Sequence, residues 1–163
     1  MWVTYGEKLN IGCSYMYIDG WTNIDINPEC KPDLVCDIRD IDSKFEEHSI
    51  DIILVSHTLE HILLEEAKPT LEKLSKILKS GGHLVIEVPD CEDLDERVER
   101  GEMDEHGRQI WLQGSPNEQW QSHKVHYTED ILWKVLAEAG FTNFRRNPEV
   151  SIPVPCIRFD IKV

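Results

Sequence analysis

The stretch SIDIILVSHTLEH, residues 49–61, decides the fold of this chain. From Ile50 to Val55 it is apolar at every position except Asp51, and it turns polar at Ser56. A strand with one solvated face alternates apolar and polar residues, whereas a strand covered on both faces is almost continuously apolar. The stretch therefore predicts a strand that is buried on both faces, as in a parallel sheet.

Shorter apolar runs lie on both sides of this strand and alternate with helical patterns. Further strands are predicted at KLNIGC (8–13), WTNIDI (21–26), DLVCDI (33–38), HLVIEVP (83–89), FTNFRR (141–146) and CIRFDIKV (156–163). Helices are predicted near 65–79 and over 128–139, where apolar residues recur at helical spacing. In the first helix, Pro69 favours a late start and Gly81-Gly82 favours a stop. The alternation predicts an α/β fold with a mostly parallel sheet.

The opening stretch also contains the pattern H-x-x-E-H, formed by His57, Glu60 and His61. On a helix this spacing is that of an inverted zinc-protease motif, in which two imidazoles bind a metal beside a carboxylate base. Because His57 directly follows a buried strand, we expect it to lie in a turn, before helical geometry begins. We therefore predict that no metal ion is bound here and that His61 is a structural histidine.

Five predicted strands end in a glycine or in polar residues. In chain order these are Gly12, Asp25, Asp37, Ser56 with His57, and Pro89 with Asp90. Ligands of open α/β sheets bind at the carboxyl ends of the strands. A glycine after the first strand lets the backbone approach a ligand closely, and a carboxylate that ends the second strand can accept hydrogen bonds from both hydroxyls of a ribose. The pattern favours a cofactor that contains a nucleoside.

The ordered motifs LNIGC (9–13), GWTNIDI (20–26), SHTLEH (56–61) and AGFTNF (139–144) resemble those of the class I S-adenosylmethionine-dependent methyltransferases. Within that class the chain is similar to the short type 11 subgroup. The resemblance implies a Rossmann-like α/β fold with strand order 3-2-1-4-5-7-6 and the last strand antiparallel. It implies S-adenosylmethionine as the cofactor. The helices that precede the first strand in larger relatives are missing, so we expect an open pocket in a single domain, 1–163.

The resemblance also assigns roles to residues. It places Gly12 and Cys13 near the methionine portion of the cofactor, Asp25 at the ribose hydroxyls, Asp37 and Ile38 beside the adenine, and Ser56 and His57 under the cofactor, with Ile26 as a further cofactor-binding residue. Two features depart from the family pattern. Ser14 stands where the family has a second glycine, and the connection 13–20 is shorter than the dozen residues that such crossovers normally need, so we expect its helix to be vestigial.

A long connection, residues 91–127, follows the fifth strand and is predicted to be a lid or a substrate-recognition insert. Trp111 and Trp120 are candidates for its pocket-facing side, with packing on the sheet as the alternative. A catalytic base is needed only if the acceptor is still protonated when it reacts. The candidates are His57, His123 and His126, and the sequence does not choose among them.

The charge balance limits the partners. There are 31 acidic against 17 basic residues, a net charge of −14, which disfavours nucleic acids and anionic membranes. Five cysteines without a C-x-x-C pair favour a cytoplasmic protein. We expect a methyltransferase acting on a small-molecule or sugar-type acceptor, with a homodimer as a candidate assembly. The alternatives are a catalytically silent S-adenosylmethionine-binding module that acts through a partner, and another nucleotide-binding α/β enzyme such as a nicotinamide-dependent reductase.

Overall fold

The computed structural model describes residues 7–115, 120–149 and 155–163. Its strands, in chain order, are β1 (Lys8–Ile11), β2 (Thr22–Asp25), β3 (Leu34–Val35), β4 (Ile50–Ser56), β5 (Leu78–Pro89), β6 (Phe144–Arg146) and β7 (Cys156–Lys162). They form one sheet in the order β3-β2-β1-β4-β5-β7-β6. The first five strands are parallel, and β7 runs antiparallel to both β5 and β6. The predicted order and the antiparallel last strand are confirmed.

Within the described residues, four α-helices accompany the sheet: α1 (Leu64–Ile77), α2 (Cys91–Glu99), α3 (Glu105–Gln113) and α4 (Glu129–Glu138). The start of α4 is as predicted, because the Thr128 side chain caps it by accepting a hydrogen bond from the Ile131 N–H. In the described connection 12–21 the chain forms turns and no helix, as the short crossover predicts. Among the helices in the described part of the chain, none is both long and apolar enough to cross a membrane.

The first helix differs from its prediction at both ends. It begins at Leu64, so Pro69 lies in the second turn and not in the first. The missing N–H of Pro69 costs the helix one hydrogen bond, and the complete burial of Ala67, Leu71 and Leu74 on the core side offsets this cost. The Glu66 side chain also accepts a hydrogen bond from the Leu63 N–H, which fixes the early start.

Gly81 and Gly82 do not end the helix. The helix ends at Ile77 and β5 begins at the next residue, so both glycines lie within the strand. The register of β4 against β5 shifts here, since Ile50 pairs with Leu78 and Ile52 pairs with His83. Gly81 has a φ of +81°, a conformation that a β-bulge can require and that glycine adopts without strain.

The central strand β4 is also less buried than predicted. Ile53 and Val55 are fully buried in the core beside α1, but Ile52 and Leu54 on the opposite face are half-buried. The prediction of two covered faces is therefore wrong for this strand. The physical reason is the short crossover between β1 and β2, which supplies no helix to pack on that face.

Candidate cofactor and acceptor site

A cavity of about 1180 Å³ opens at the carboxyl ends of β1, β2 and β4 and extends along the half-buried face of the sheet. Asn10 and Leu54, which pair between β1 and β4, form part of its floor. All eight residues predicted to bind the cofactor line it: Gly12, Cys13, Asp25, Ile26, Asp37, Ile38, Ser56 and His57. The volume exceeds the ~300–1000 Å³ typical of a site for one small ligand, so it has room for a cofactor and an acceptor together.

The loop after β1 is built around Gly12. Its φ is +75°, and its N–H and that of Cys13 both donate to the Ile24 carbonyl, at 2.8 and 3.0 Å. A Cβ at this position would overlap Thr58 Oγ1 and lie 2.9 Å from Thr58 Cβ. Glycine is thus required here for backbone conformation and for close packing. Burial, aided by the nearby charge of Asp25, raises the pKa of the Cys13 thiol to about 12, so it is neutral at physiological pH.

Ser14, which replaces the second glycine of the family, keeps the backbone path of a glycine. Its φ is +44°, in the left-handed region that costs an L-residue about 1–2 kcal/mol. The Ser14 N–H donates to Asp25 Oδ2 at 2.8 Å, which helps to hold this conformation. The substitution therefore adds a side chain at the cavity wall without redirecting the loop.

Asp25 ends β2 and joins the two loops on either side of the cavity. Its Oδ2 accepts from the Ser14 N–H and its Oδ1 accepts from the Asn27 N–H, each at 2.8 Å. A carboxylate has about four lone-pair sites, so each oxygen retains acceptor capacity toward the cavity. The carboxylate is held in place by the backbone before any ligand binds.

Asp37 and Arg39 form the far wall beyond β3. Asp37 caps the 3-10 helix Ile38–Ser43 by accepting a hydrogen bond from the Arg39 N–H, and it pairs with the Arg39 guanidinium. The hydrogen bonds from the Arg39 side chain, aided by the one from its N–H, lower the pKa of Asp37 below its usual value. Arg39 also bonds Glu66 at the start of α1. The pairing fixes the edge of the cavity where the resemblance places the adenine.

His57 occupies the turn after β4, as the sequence predicts, with a φ of +49°. Its Nε2 lies 3.2 Å from Cys156 Sγ, and its Nδ1 lies 3.4 Å from Glu60 Oε1. Burial by itself lowers the pKa of His57, but the contacts with Cys156 and Glu60 outweigh it and raise the pKa to about 10. The ring is therefore protonated at neutral pH. Ser56, just before it, donates to Glu87 Oε2 at 2.8 Å.

The connection 91–127 contributes the opposite wall. Trp111 in α3, Trp120 and His123 line the cavity, and the ring centroids of Trp111 and His57 lie 6.2 Å apart. Burial lowers the pKa of His123. His126 is exposed and does not line the cavity. The structure thus brings two of the three candidate histidines to the cavity and leaves the third outside.

The H-x-x-E-H pattern does not form the helical arrangement of a zinc protease. Only Leu59–His61 form a short 3-10 helix, and His57 points toward Cys156 instead of sharing a ligand position with His61. Sequence reasoning missed two contributions here. Thr58 packs against Gly12, for which no local signal exists, and Glu60 is buried with its carboxylate near His123. For Glu60, the only indication in the sequence was the acidic position inside H-x-x-E-H.

Fold and cavity together define a nucleotide-cofactor protein of the class I methyltransferase type, and the residues present fit S-adenosylmethionine: the tight turn at Gly12 lines the cavity, and Asp25 offers a fixed carboxylate. Residues 11–145 match the family model described as a methyltransferase domain. The chain belongs to this family of S-adenosylmethionine-dependent methyltransferases. Among proteins with curated descriptions, none matches the sequence.

Solved structures of methyltransferases share the fold at low sequence identity. One is an S-adenosylmethionine-dependent methyltransferase from Archaeoglobus fulgidus, with 15% identity, TM-score 0.71, and coverage of 99% of this chain and 88% of that one. Another, from Methanosarcina mazei, has 18% identity, TM-score 0.63, and coverage of 99% and 92%. The 1,6-didemethyltoxoflavin-N1-methyltransferase of Burkholderia thailandensis has 14% identity, TM-score 0.58, and coverage of 95% and 69%. That structure holds 1,6-didemethyltoxoflavin and S-adenosylhomocysteine.

Proposed function

We propose that the chain transfers the methyl group of S-adenosylmethionine to a small-molecule or sugar-type acceptor. The observation that carries this proposal is the continuity of the cavity from the Gly12 loop and Asp25 to the wall formed by Trp111 and His123. The first end suits the cofactor, and the second is partly apolar and partly polar, as acceptor sites are. The Burkholderia neighbour, which holds a small acceptor beside the cofactor product, supports a small acceptor here too.

In this proposal the residues of the chain bind and orient, and few of them take part in chemistry. S-Adenosylmethionine, when bound, supplies a methyl group on a sulfonium, which is already a good leaving group. Gly12 and Cys13 hold the methionine portion, Asp25 with Ile26 holds the ribose, and Asp37 with Ile38 lies at the adenine. The acceptor must then be held in line with the methyl group, which is a task of positioning. His57 is not proposed as a base because its ring carries both protons at neutral pH.

Calorimetric titration of the full chain tests the cofactor assignment. We expect S-adenosylmethionine and S-adenosylhomocysteine each to bind once per chain and NAD not to bind. Binding of NAD alone would favour a nicotinamide-dependent enzyme instead. A screen of hydroxyl, amine and sugar acceptors should then show turnover. Cofactor binding without turnover on any acceptor would favour a silent binding module that acts through a partner.

Asp25→Ala is expected to weaken S-adenosylmethionine binding by at least ~2 kcal/mol, roughly 30-fold, because charge-assisted hydrogen bonds to the ribose are lost. Asp25 also anchors Ser14 and Asn27, so thermal melting without cofactor must accompany the titration. Asp19→Ala is the matched control, since Asp19 lies exposed in the same crossover and outside the cavity. Unchanged cofactor affinity in folded Asp25→Ala would remove Asp25 from the ribose site.

We further propose that the connection 91–127 is an acceptor-side insert that closes on the ligands. Its helices α2 and α3 pack on each other, and α3 presents Trp111 to the cavity. Closure would exclude water and strengthen the electrostatic contacts that hold the acceptor.

Hydrogen exchange tests this closure. We expect amides of the described residues 105–115 and 120–124 to exchange more slowly when S-adenosylhomocysteine is added, and more slowly again with an acceptor from the screen. The central strand pair β5 and β7 serves as an internal reference, because its amides should be protected in every state. Equal exchange of 105–115 and 120–124 with and without ligands would mean that the segment is a fixed part of the fold.

A further inference from the structure

A buried carboxylate and two imidazoles meet at the cavity wall, outside the residues assigned to the cofactor. Glu60, His61 and His123 each offer one ligand atom, and these atoms all lie within 4.8 Å of one another. His61 and His123 also line the cavity. The two segments are tied by the backbone, because the Lys124 and Val125 N–H groups both donate to the Glu60 carbonyl, at 2.7 and 3.2 Å. The group is therefore assembled by the fold.

The buried Glu60 carboxylate has ion-pair neighbours but no hydrogen bond among the described residues. Glu60 is 1% exposed, and among the described residues neither Oε1 nor Oε2 has a hydrogen bond. His57 Nδ1 and His123 Nε2 lie 3.4 and 3.9 Å from Oε1, which is ion-pair distance but beyond a well-formed hydrogen bond. A buried carboxylate without hydrogen bonds destabilises the fold, because its lost hydration is not replaced. Such a group calls for a further cation.

His61 has the hydrogen-bond partner that a ligating histidine commonly has. His61 Nδ1 lies 3.3 Å from the Ser122 carbonyl, so an Nδ1–H that donates there leaves the lone pair on Nε2 available. A backbone carbonyl in this role commonly fixes the tautomer of a ligating histidine. The rings of His61 and His123 stand edge to face with centroids 4.8 Å apart, so their nitrogens can converge through small side-chain rotations.

We propose that Glu60, His61 and His123 bind a divalent transition cation at the acceptor end of the cavity. Two imidazoles and one carboxylate suit Zn²⁺, Fe²⁺, Co²⁺ or Mn²⁺ better than Ca²⁺ or Mg²⁺, which prefer oxygen ligands. Three protein ligands leave at least one coordination position open, as in catalytic sites. Because His61 and His123 line the cavity, an acceptor hydroxyl would reach the open position from there. The cation would lower the pKa of that hydroxyl; its proton would pass to solvent, and the oxygen would take the methyl group as S-adenosylhomocysteine leaves. This catalytic role rests on the proposed methyl transfer, whereas metal binding does not.

The site keeps two residues of H-x-x-E-H and replaces the third. The sequence predicted no metal because His57 lies in a turn. It does lie there, and His123 from the distant connection takes the position that a helical motif would have given to His57. A metal site is therefore proposed where the sequence predicted none, although His57 lies in a turn as expected.

The test is calorimetric titration of the chelator-treated full chain with Zn²⁺ alone, without cofactor or acceptor. We expect one Zn²⁺ per chain, with affinity lowered at least roughly 100-fold in Glu60→Gln, His61→Ala and His123→Ala, since loss even of an outer partner typically costs 10–100-fold. His126→Ala is the control, because His126 is exposed and outside the cavity; its affinity should be unchanged. Thermal melting of each variant checks folding. If Glu60→Gln does not fold, His61→Ala still tests the site, because His61 is partly exposed.

Co²⁺ absorption distinguishes this site from the five cysteines. We expect a spectrum of nitrogen and oxygen ligation without a thiolate charge-transfer band, and no such spectrum in His61→Ala. The proposal is overturned if no stoichiometric Zn²⁺ binds, in which case the His57–Glu60 pair suffices for the buried charge. It is equally overturned if binding survives both histidine substitutions. Intact S-adenosylmethionine binding in either case would leave the proposed function standing.

Discussion

Replacing Gly12 by alanine is expected to destabilise the folded chain by about 2–5 kcal/mol and to weaken S-adenosylmethionine binding at least tenfold. A left-handed φ costs an L-residue about 1–2 kcal/mol, and Gly12 has a φ of +75°. The new Cβ would also overlap Thr58 Oγ1 and approach Thr58 Cβ to 2.9 Å, an overpacking that typically costs about 1–3 kcal/mol. Chemical denaturation and calorimetric titration measure the two effects.

Gly20→Ala is the matched control for this experiment. Gly20 lies in the same crossover with a φ of +77°, but a Cβ there has no neighbour within 4 Å. It therefore incurs the conformational cost without the overlap, and the difference between the two variants isolates the contact with Thr58. Thr58→Ala in the Gly12→Ala background should recover part of the loss. Equal destabilisation by Gly12→Ala and Gly20→Ala would show that close packing at Gly12 contributes nothing.

Local sequence patterns predict the strands, and the family resemblance implies their order. Short apolar runs that end in glycine or aspartate indicate each strand and its carboxyl end, and parallel pairing brings those ends to one edge. The eight residues that the strand ends and the resemblance suggested for the cofactor all line the cavity. The burial of β4 was predicted wrongly, because its apolar run was interpreted without the short crossover, which forms no helix over Ile52 and Leu54.

The acceptor end was harder to predict, because its residues come from distant parts of the chain. Backbone hydrogen bonds between the segment before α4 and the turn after β4 bring His123 close to Glu60. No local spacing in the sequence predicts that contact. Pro69 and the two glycines at 81 and 82 show the same limit. Their intrinsic preferences favour helix boundaries, but burial in the core and the register of β5 determine where the elements actually begin and end.

Three polar side chains on neighbouring strands, Ser56, Glu87 and Arg158, contact one another in turn across the sheet. Breaking these contacts is expected to have the second large effect, a loss of stability. Glu87 in β5 is fully buried, and it accepts a hydrogen bond from Ser56 in β4 and faces the Arg158 guanidinium in β7 at 3.3 Å. Truncating one member of a buried ion pair is more harmful than replacing both, since the remaining charge loses its compensation. The three side chains lie directly beneath the turn that carries His57, because the His57 N–H donates to the Glu87 carbonyl at 2.9 Å.

Arg158→Ala is therefore expected to lower the free energy of unfolding by about 3 kcal/mol, measured by chemical denaturation at neutral pH. The double variant Glu87→Gln with Arg158→Met should be less destabilised than Arg158→Ala, because it removes both charges and keeps much of the packing volume. Arg145→Ala serves as the control: Arg145 is exposed on the neighbouring strand β6, and surface substitutions usually change stability by less than about 0.5 kcal/mol. If Arg158→Ala were no more destabilising than Arg145→Ala, the guanidinium would not be compensating Glu87. The other contacts of Glu87, among them the hydrogen bond from Ser56, would then be what stabilises that carboxylate beside the cavity.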